Sequence, residues 1–323
     1  MSFEIRIFVL IFSFFSCYPT IALEIYGHRG AAGLAPENTL EAYRTALDLG
    51  VDYVDMDIGL TQDHVLVVYH DRRLNPDITR NENGEWLKEE GPALKHLSYK
   101  SLLTLDVGQI NPRSEYAKQF PYQISFNQTK IPTVQEVIRY VKQRNPHTKF
   151  QIEIKSDPFD EAHSPDPAVL VPLLVQLLRD EGVTAHTEVH SFDWRNLQLL
   201  QKLAPEVSAS YITERELFEK ENGHGWMAGH RFTKALDSYP KLIHKLGGKV
   251  WCPYYGDLSK ALIQEAHALG LKVTTWSVDD PQAMLRLMEW GVDGIITNRP
   301  DILRGLMVAR KIGPPKNHCL NQA

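Results

Sequence analysis

Ile25-Tyr26-Gly27-His28-Arg29-Gly30 and Val54-Asp55-Met56-Asp57-Ile58, with Val65-Leu66-Val67-Val68-Tyr69-His70-Asp71 close behind, are the stretches on which the fold turns. Each is an apolar strand pattern that carries or ends in polar chemistry. Alternate side chains of a strand share a face, so Asp55 and Asp57 point one way and Val54, Met56 and Ile58 the other. Two carboxylates on one face repel each other and are costly to bury without a cation between them. A hard divalent metal bound through oxygen is the natural occupant. His28 and His70 each follow an apolar strand, where a (β/α) barrel places its catalytic groups. Arg29 adds a permanent charge suited to a phosphate. Singly, these features have plainer readings: a solvated strand end, a surface salt bridge. In this order and this close together they point to a site.

Outward from that window the chain keeps a strand–helix rhythm. Leu23 to Gly27 reads as the first strand. Thr39 to Leu49 follows as a helix with Leu40, Tyr43, Ala46 and Leu47 at helical spacing, capped by Asn38 or Thr39 and stopped by Gly50. Tyr53 to Leu60 and Val65 to His70 are strands. From Asp71 to Lys130 the rhythm fails: Pro76, Pro92, Pro112 and Pro121 break it, Lys88-Glu89-Glu90 reads as wet surface, and only Tyr99 to Asp106 looks helical. This segment is expected as an insertion over the barrel mouth with no core of its own. The rhythm returns with a helix over Thr133 to Arg144 and a strand over Phe150 to Lys155, whose Gln151, Glu153 and Lys155 share one face. Strands over 188–191, 208–212, 249–253, 272–278 and 294–297 alternate with helices over 167–180, 194–203, 258–269 and 281–290. Such alternation predicts a parallel α/β fold, and the strand-end chemistry makes it a (β/α)8 TIM barrel. No glycine-rich dinucleotide or phosphate loop favours an open nucleotide-binding sheet.

Composition sets the class. A chain of 323 residues with 43% hydrophobic and 23% charged residues is globular and long enough for one barrel. A net charge of −5 argues against nucleic acid or an anionic membrane as partner. Ile7 to Phe15 is an apolar run after Arg6, followed by Thr20-Ile21-Ala22, so residues 1–22 are expected to be a signal peptide and the product periplasmic or secreted. Cys17, after Phe15-Ser16, is a poor lipoprotein site. The barrel domain is expected over 23–310 and a loose tail over 311–323. Three cysteines make no disulfide framework; Cys252 is expected as a buried free thiol, with pairing to Cys319 the alternative. Asn127-Gln128-Thr129 is a glycosylation sequon. His64 and His163 are expected in solvent, and His190 lining the barrel in a core or supporting role.

The sequence resembles the glycerophosphodiester phosphodiesterase family, in its exported bacterial form. The resemblance rests on His28-Arg29-Gly30, Pro36-Glu37-Asn38-Thr39, the acidic-x-Asp strand, His70-Asp71, Glu153-Ile154-Lys155, Trp276-Ser277-Val278 and Gly291 to Asn298. It spans about Leu23 to Leu306. It implies His28 and His70 as the acid–base pair, Arg29, Lys155 and Trp276 at the substrate, and Asp55, Asp57 and Glu153 on one divalent cation, Ca²⁺ or Mg²⁺. Which histidine is acid and which base stays open. The family's first acidic ligand is usually Glu; Asp55 is one methylene shorter, so either the metal shifts or a water completes its shell. The implied reaction is hydrolysis of a small glycerophosphodiester to glycerol 3-phosphate and an alcohol. The alternatives are a phospholipase D-like enzyme acting on lysolipid or sphingolipid, and a non-catalytic binding or adhesion protein on the same barrel. An apolar lip around the mouth would favour the former.

Overall fold

The computed structural model describes residues 23–220, 222–231 and 238–312. The expected leader, Cys17, Cys319 and the tail from residue 313 lie outside the described residues. Among the described residues nine strands form one sheet: β1 (Glu24–Gly27), β2 (Tyr53–Leu60), β3 (Leu66–Val68), β4 (Lys149–Ile154), β5 (Thr187–Ser191), β6 (Ser208–Thr213), β7 (Val250–Pro253), β8 (Lys272–Thr275) and β9 (Gly294–Thr297). All neighbours are parallel except β3, which runs antiparallel along β2, and pairing of β1 with both β2 and β9 closes the barrel. The (β/α)8 expectation holds.

The alternation of side chains decides the inside and the outside. Ile25, Val54, Met56, Ile152, Val189 and Ile295 point outward and pack beneath the helices in one continuous core. The first helix, Leu40–Asp48, is capped by Thr39, whose hydroxyl accepts the Ala42 amide at 3.2 Å. Thr133 and Glu136 form a reciprocal capping box on the helix Val134–Arg144. Helices Tyr239–Lys245 and Pro300–Ala309 have no counterpart in the expected pattern. The second of them follows β9 and packs on β1.

Inside, the barrel mixes buried charged and polar groups with a small apolar cluster of Tyr26, Tyr53, Ile212, Cys252 and Ile296. At its lower end Tyr26 and Tyr53 stack with centroids 4.2 Å apart. Lys272 lies against both rings and pairs with Glu188 at 2.7 Å. These paired charges plug the floor, which leaves the opposite end, at the strand C-termini, to carry the chemistry.

The insertion departs from expectation in one respect. Leu74, Ile78, Leu94, Leu102, Leu105 and Val107 gather with Val67, Tyr69 and Ile131 into a second buried cluster. The segment thus owns a small core, rooted in β3 and the residues after it. Its apolar residues are too widely and irregularly spaced for a period to reveal them. Lys88, Glu89 and Glu90 are exposed, and Cys252 is a buried free thiol, as expected. His163 is not simply solvated: it bonds Asp160 at 2.8 Å and Arg73 at 3.1 Å in a loop cross-link.

Candidate active site

The turn after β1 is built for close approach. Gly30 has φ +87°, and a Cβ there would stand 2.6 Å from the Ala42 carbonyl carbon, so the turn can pack on the first helix only with glycine. Arg29 and Asn38 also lie in the left-handed region, with φ 51° and 58°. Such a conformation costs about 1–3 kcal/mol at a non-glycine residue and persists only where surrounding bonds fix it. Those bonds are present. The Arg29 amide donates to Asp55 Oδ2 at 3.2 Å, and Asn38 Nδ2 donates to Asp57 Oδ2 at 2.9 Å while Asn38 Oδ1 accepts the Asp57 amide at 3.2 Å.

Four carboxylates surround that turn, and the chain itself answers each of them. Arg29 reaches Glu37 at 2.9 Å and Asp57 at 3.2 Å, and its guanidinium also donates to the Tyr116 hydroxyl at 3.1 Å. Tyr116, from the insertion, in turn donates to Glu37. Lys155 pairs with Glu153 at 2.6 Å and stands 3.7 Å from Asp57. His190 Nε2 meets Asp55 Oδ1 at 3.1 Å. Burial alone would raise the Asp57 pKa, but Arg29, His70 and Lys155 hold it far below the usual carboxylate range. Burial likewise disfavours the Lys155 charge, and Glu153 and Asp57 overcome it to raise the pKa.

The two histidines face one cavity from opposite supports. His28 Nδ1 lies 2.7 Å from Asn298 Oδ1, which makes Nδ1 the donor and leaves Nε2 bare toward the cavity. Asn298 is itself fixed, donating from Nδ2 to Asp279 Oδ2 at 2.7 Å and from its amide to Asp279 Oδ1 at 2.9 Å. Burial and the neighbouring Arg29 charge lower the His28 pKa. His70 Nδ1 instead meets a carboxylate, Asp71 Oδ1, at 2.8 Å. Despite burial, the bond to His70 lowers the Asp71 pKa. One ring thus rests on a neutral amide and the other on a carboxylate.

Two adjoining chambers share His28, Arg29, His70 and Ser277. The inner one, about 100 Å³, is walled by Glu153, Lys155, His190, Phe192, Ile212, Trp276 and Ile296. Phe192 and Trp276 meet there edge to face at 5.4 Å. The outer one, about 390 Å³, opens past Asp71, Asn75, Tyr116, Gln119, Phe120, Asp279 and Asn298.

Comparison with known proteins decides the family. The glycerophosphoryl diester phosphodiesterase family matches over residues 28–302. The chain belongs to that family. A glycerophosphodiester phosphodiesterase of Caldanaerobacter subterraneus subsp. tengcongensis is 26% identical across 88% of this chain and 97% of its own. One from Bacillus subtilis is 27% identical across 85% of this chain and 83% of its own. A crystal structure from Silicibacter pomeroyi, described as a candidate glycerophosphoryl diester phosphodiesterase, superposes with a TM-score of 0.82 at 31% identity, covering 92% of this chain and 96% of that one. An Oleispira antarctica phosphodiesterase solved with sn-glycerol-3-phosphate shares the fold, with a TM-score of 0.65 at 20% identity over 89% and 97% of the two chains.

The sequence-predicted residues converge only in part. His28, Arg29, His70, Glu153, Lys155 and Trp276 line the inner chamber. Asp55 and Asp57 are on the same strand face but lie beneath it, 2% and 1% exposed, and line neither chamber. Three buried carboxylates on adjacent strands have the oxygen chemistry of a hard divalent cation, and Asp57 and Glu153 are register partners across β2 and β4. As arranged, their oxygens are turned to Arg29, Lys155 and His190, and among the described residues no three His, Cys, Asp or Glu side chains gather as a ligand cluster. Sequence reasoning missed Asp71, Asp279 and Tyr116 as partners of site residues. Asp71 follows His70 directly, and that adjacency was the available signal.

Proposed function

We propose that this barrel hydrolyses water-soluble glycerophosphodiesters to glycerol 3-phosphate and the headgroup alcohol, with His28 as first base and His70 as first acid. The observation that carries the reading is the unequal support of the two rings. His28, its Nδ1–H on a neutral amide and its charge opposed by burial and Arg29, presents a bare Nε2 to accept a proton. His70 faces the same cavity with a carboxylate behind it, Asp71 Oδ1 lying 2.8 Å from its Nδ1, and is assigned the acid's place.

In the first step Nε2 of His28 takes the proton of the substrate's 2-hydroxyl, whose oxygen attacks phosphorus. The bond to the headgroup oxygen breaks and that oxygen receives the His70 proton. Internal attack gains from proximity, because the hydroxyl is already held near the phosphorus. In the second step water attacks the cyclic phosphate. His70 takes its proton and His28 returns one to the 2-oxygen, restoring both rings. Arg29 and Lys155 stand beside the phosphate position and oppose its negative charge. A divalent cation, Ca²⁺ or Mg²⁺, held by the β2 and β4 carboxylates would supply further neutralisation of that charge. Asn75, Gln119 and Asn298 in the outer chamber suit a hydrated headgroup better than an acyl chain.

The test is to incubate the protein with glycerophosphocholine and glycerophosphoethanolamine, with and without chelator, and measure glycerol 3-phosphate. Absence of product from every glycerophosphodiester in metal-replete buffer overturns the reading. A 2-deoxy analogue turned over with equal kcat removes internal attack. Export is proposed on the leader pattern of residues 1–22, and N-terminal sequencing of the protein from its cell should begin near residue 23; retention of the apolar run refutes it.

A further inference from the structure

Asp55 and His190 stand apart from the other ion pairs of the site. Asp55 is on β2 and His190 on β5, with β4 between them, so the bond reaches across a strand inside the barrel. Their side chains are 3% and 4% exposed. His190 Nε2 lies 3.1 Å from Asp55 Oδ1, while Asp55 Oδ2 accepts the Arg29 amide at 3.2 Å. The Gly30 amide also reaches the Asp55 main-chain oxygen at 3.2 Å. Both carboxylate oxygens are therefore engaged, one by a strand across the barrel and one by the turn that carries His28 and Arg29. His190 borders the inner chamber and Asp55 does not. The buried Cys252 thiol also lies against the imidazole, and Glu153, the register partner of His190 on β4, adds a second negative charge nearby, but only Asp55 is bonded to Nε2.

We propose that His190 is a positioning residue. It clamps the Asp55 carboxylate so that Asp55 braces the left-handed His28–Arg29 turn, instead of offering its oxygens to an ion in the chamber. A Glu at position 55 would extend one methylene toward His190; the shorter Asp fits between the imidazole and the turn. Asp55 then serves as a strut, and Glu153, which lines the inner chamber, is the carboxylate best placed to meet a divalent cation. The role rests on the phosphodiesterase reading.

The experiment compares full-length His190→Gln, His190→Leu, Asp55→Asn and the His190→Leu/Asp55→Asn double variant. The readouts are kcat and KM for glycerophosphocholine and, separately, Ca²⁺ affinity by calorimetry without substrate. A small displacement of a catalytic group costs up to about 100-fold in rate. His190→Leu and Asp55→Asn should each lower kcat by roughly 10- to 100-fold with KM within about threefold, since misplacement affects the reacting geometry first. His190→Gln, whose amide can still donate to Asp55, should recover most of the loss, and the double variant should be no worse than Asp55→Asn, because the two residues act as one unit. Ca²⁺ affinity should change less than about threefold in Asp55→Asn but more than tenfold in Glu153→Gln, which removes a ligand. His190→Leu leaves Asp55 buried without its partner and can fail to fold; the Gln and Asn variants still decide. Additive kcat losses, a loss expressed in KM, or a Ca²⁺ defect in Asp55→Asn as large as in Glu153→Gln each overturn the role. Absence of wild-type turnover with any glycerophosphodiester sinks the phosphodiesterase reading and this role with it. Wild-type turnover with additive losses sinks this role alone.

Discussion

Asn298→Asp separates the two assignments of base and acid. Asn298 Oδ1 is 2.7 Å from His28 Nδ1, and the substitution puts a negative charge at that distance with little change of shape. An opposite charge in contact raises an imidazole pKa by about 1–3 units, each worth about 1.36 kcal/mol between the two protonation states. Asp279 moderates the effect: it loses the Nδ2 donor and faces a second carboxylate, so the lower half of that range is expected. The sign follows from the role. In the native site burial and Arg29 hold the His28 pKa below its ordinary value, so the acid limb of kcat/KM should lie below about pH 6.5. Raising that pKa protonates the base at a higher pH and moves the acid limb upward. A shift of about one to two units lowers kcat/KM roughly 10- to 100-fold on the acid side and leaves the alkaline limb in place. The assay is a kcat/KM profile on glycerophosphocholine from pH 5 to 10 at saturating Ca²⁺. A limb that does not move refutes His28 as base. An alkaline limb that moves outward instead makes His28 the acid.

Four further outcomes are expected. His28→Ala and His70→Ala should each remove about two to four orders of magnitude of turnover without loss of the folded far-ultraviolet spectrum, and activity within tenfold of wild type removes that residue from the mechanism. Exhaustive chelation should abolish glycerol 3-phosphate release and Ca²⁺ or Mg²⁺ should restore it, since carboxylate donors suit hard cations; full activity after chelation refutes metal dependence. Tyr116→Phe removes a hydroxyl that donates to Glu37 and accepts from Arg29. It should cost about 1.5 kcal/mol in kcat/KM, mainly through KM, and an unchanged KM would show that the insertion does not steady Arg29. Leu102→Ala, at a fully buried position of the insertion core, should lower unfolding stability by about 2–5 kcal/mol in denaturant titration, and a loss under 1 kcal/mol would mean that core is dispensable.

How far the site was legible follows from what a sequence encodes locally. The period of two along β2 and β4 puts Asp55, Asp57 and Glu153 inside, and the structure keeps them there. Strand ends locate His28, Lys155 and Trp276, because parallel closure brings those strand C-termini to one rim; His70 arrives by another route, since β3 turns back antiparallel along β2 and the Tyr69 amide bonds the Asp57 carbonyl. The partners that give those residues their roles come from elsewhere in the chain. Asn298 lies 270 positions from His28, and Tyr116 lies 79 positions from Glu37. Periodicity is blind to such pairs. The insertion core was hidden for the same reason, since its contacts are set by turns and not by a repeating face.

The carboxylates show the limit most clearly. Two acidic side chains on one buried face require positive charge, and the sequence reading assigns that charge to a divalent metal. The sequence could not say whose charge. Arg29 bridges Glu37 and Asp57, Lys155 bridges Glu153 and approaches Asp57, and His190 holds Asp55. Every cation that would greet a phosphate is already committed to a carboxylate. Under the proposed metal dependence, a divalent ion that took up carboxylate charge would free Arg29 and Lys155 for a phosphate, so the two would bind better together than either alone. On that reading the acidic strand and the basic strand ends form one balanced set, and the residue least able to exchange partners is Asp55, whose two oxygens are fixed by His190 and the Arg29 amide.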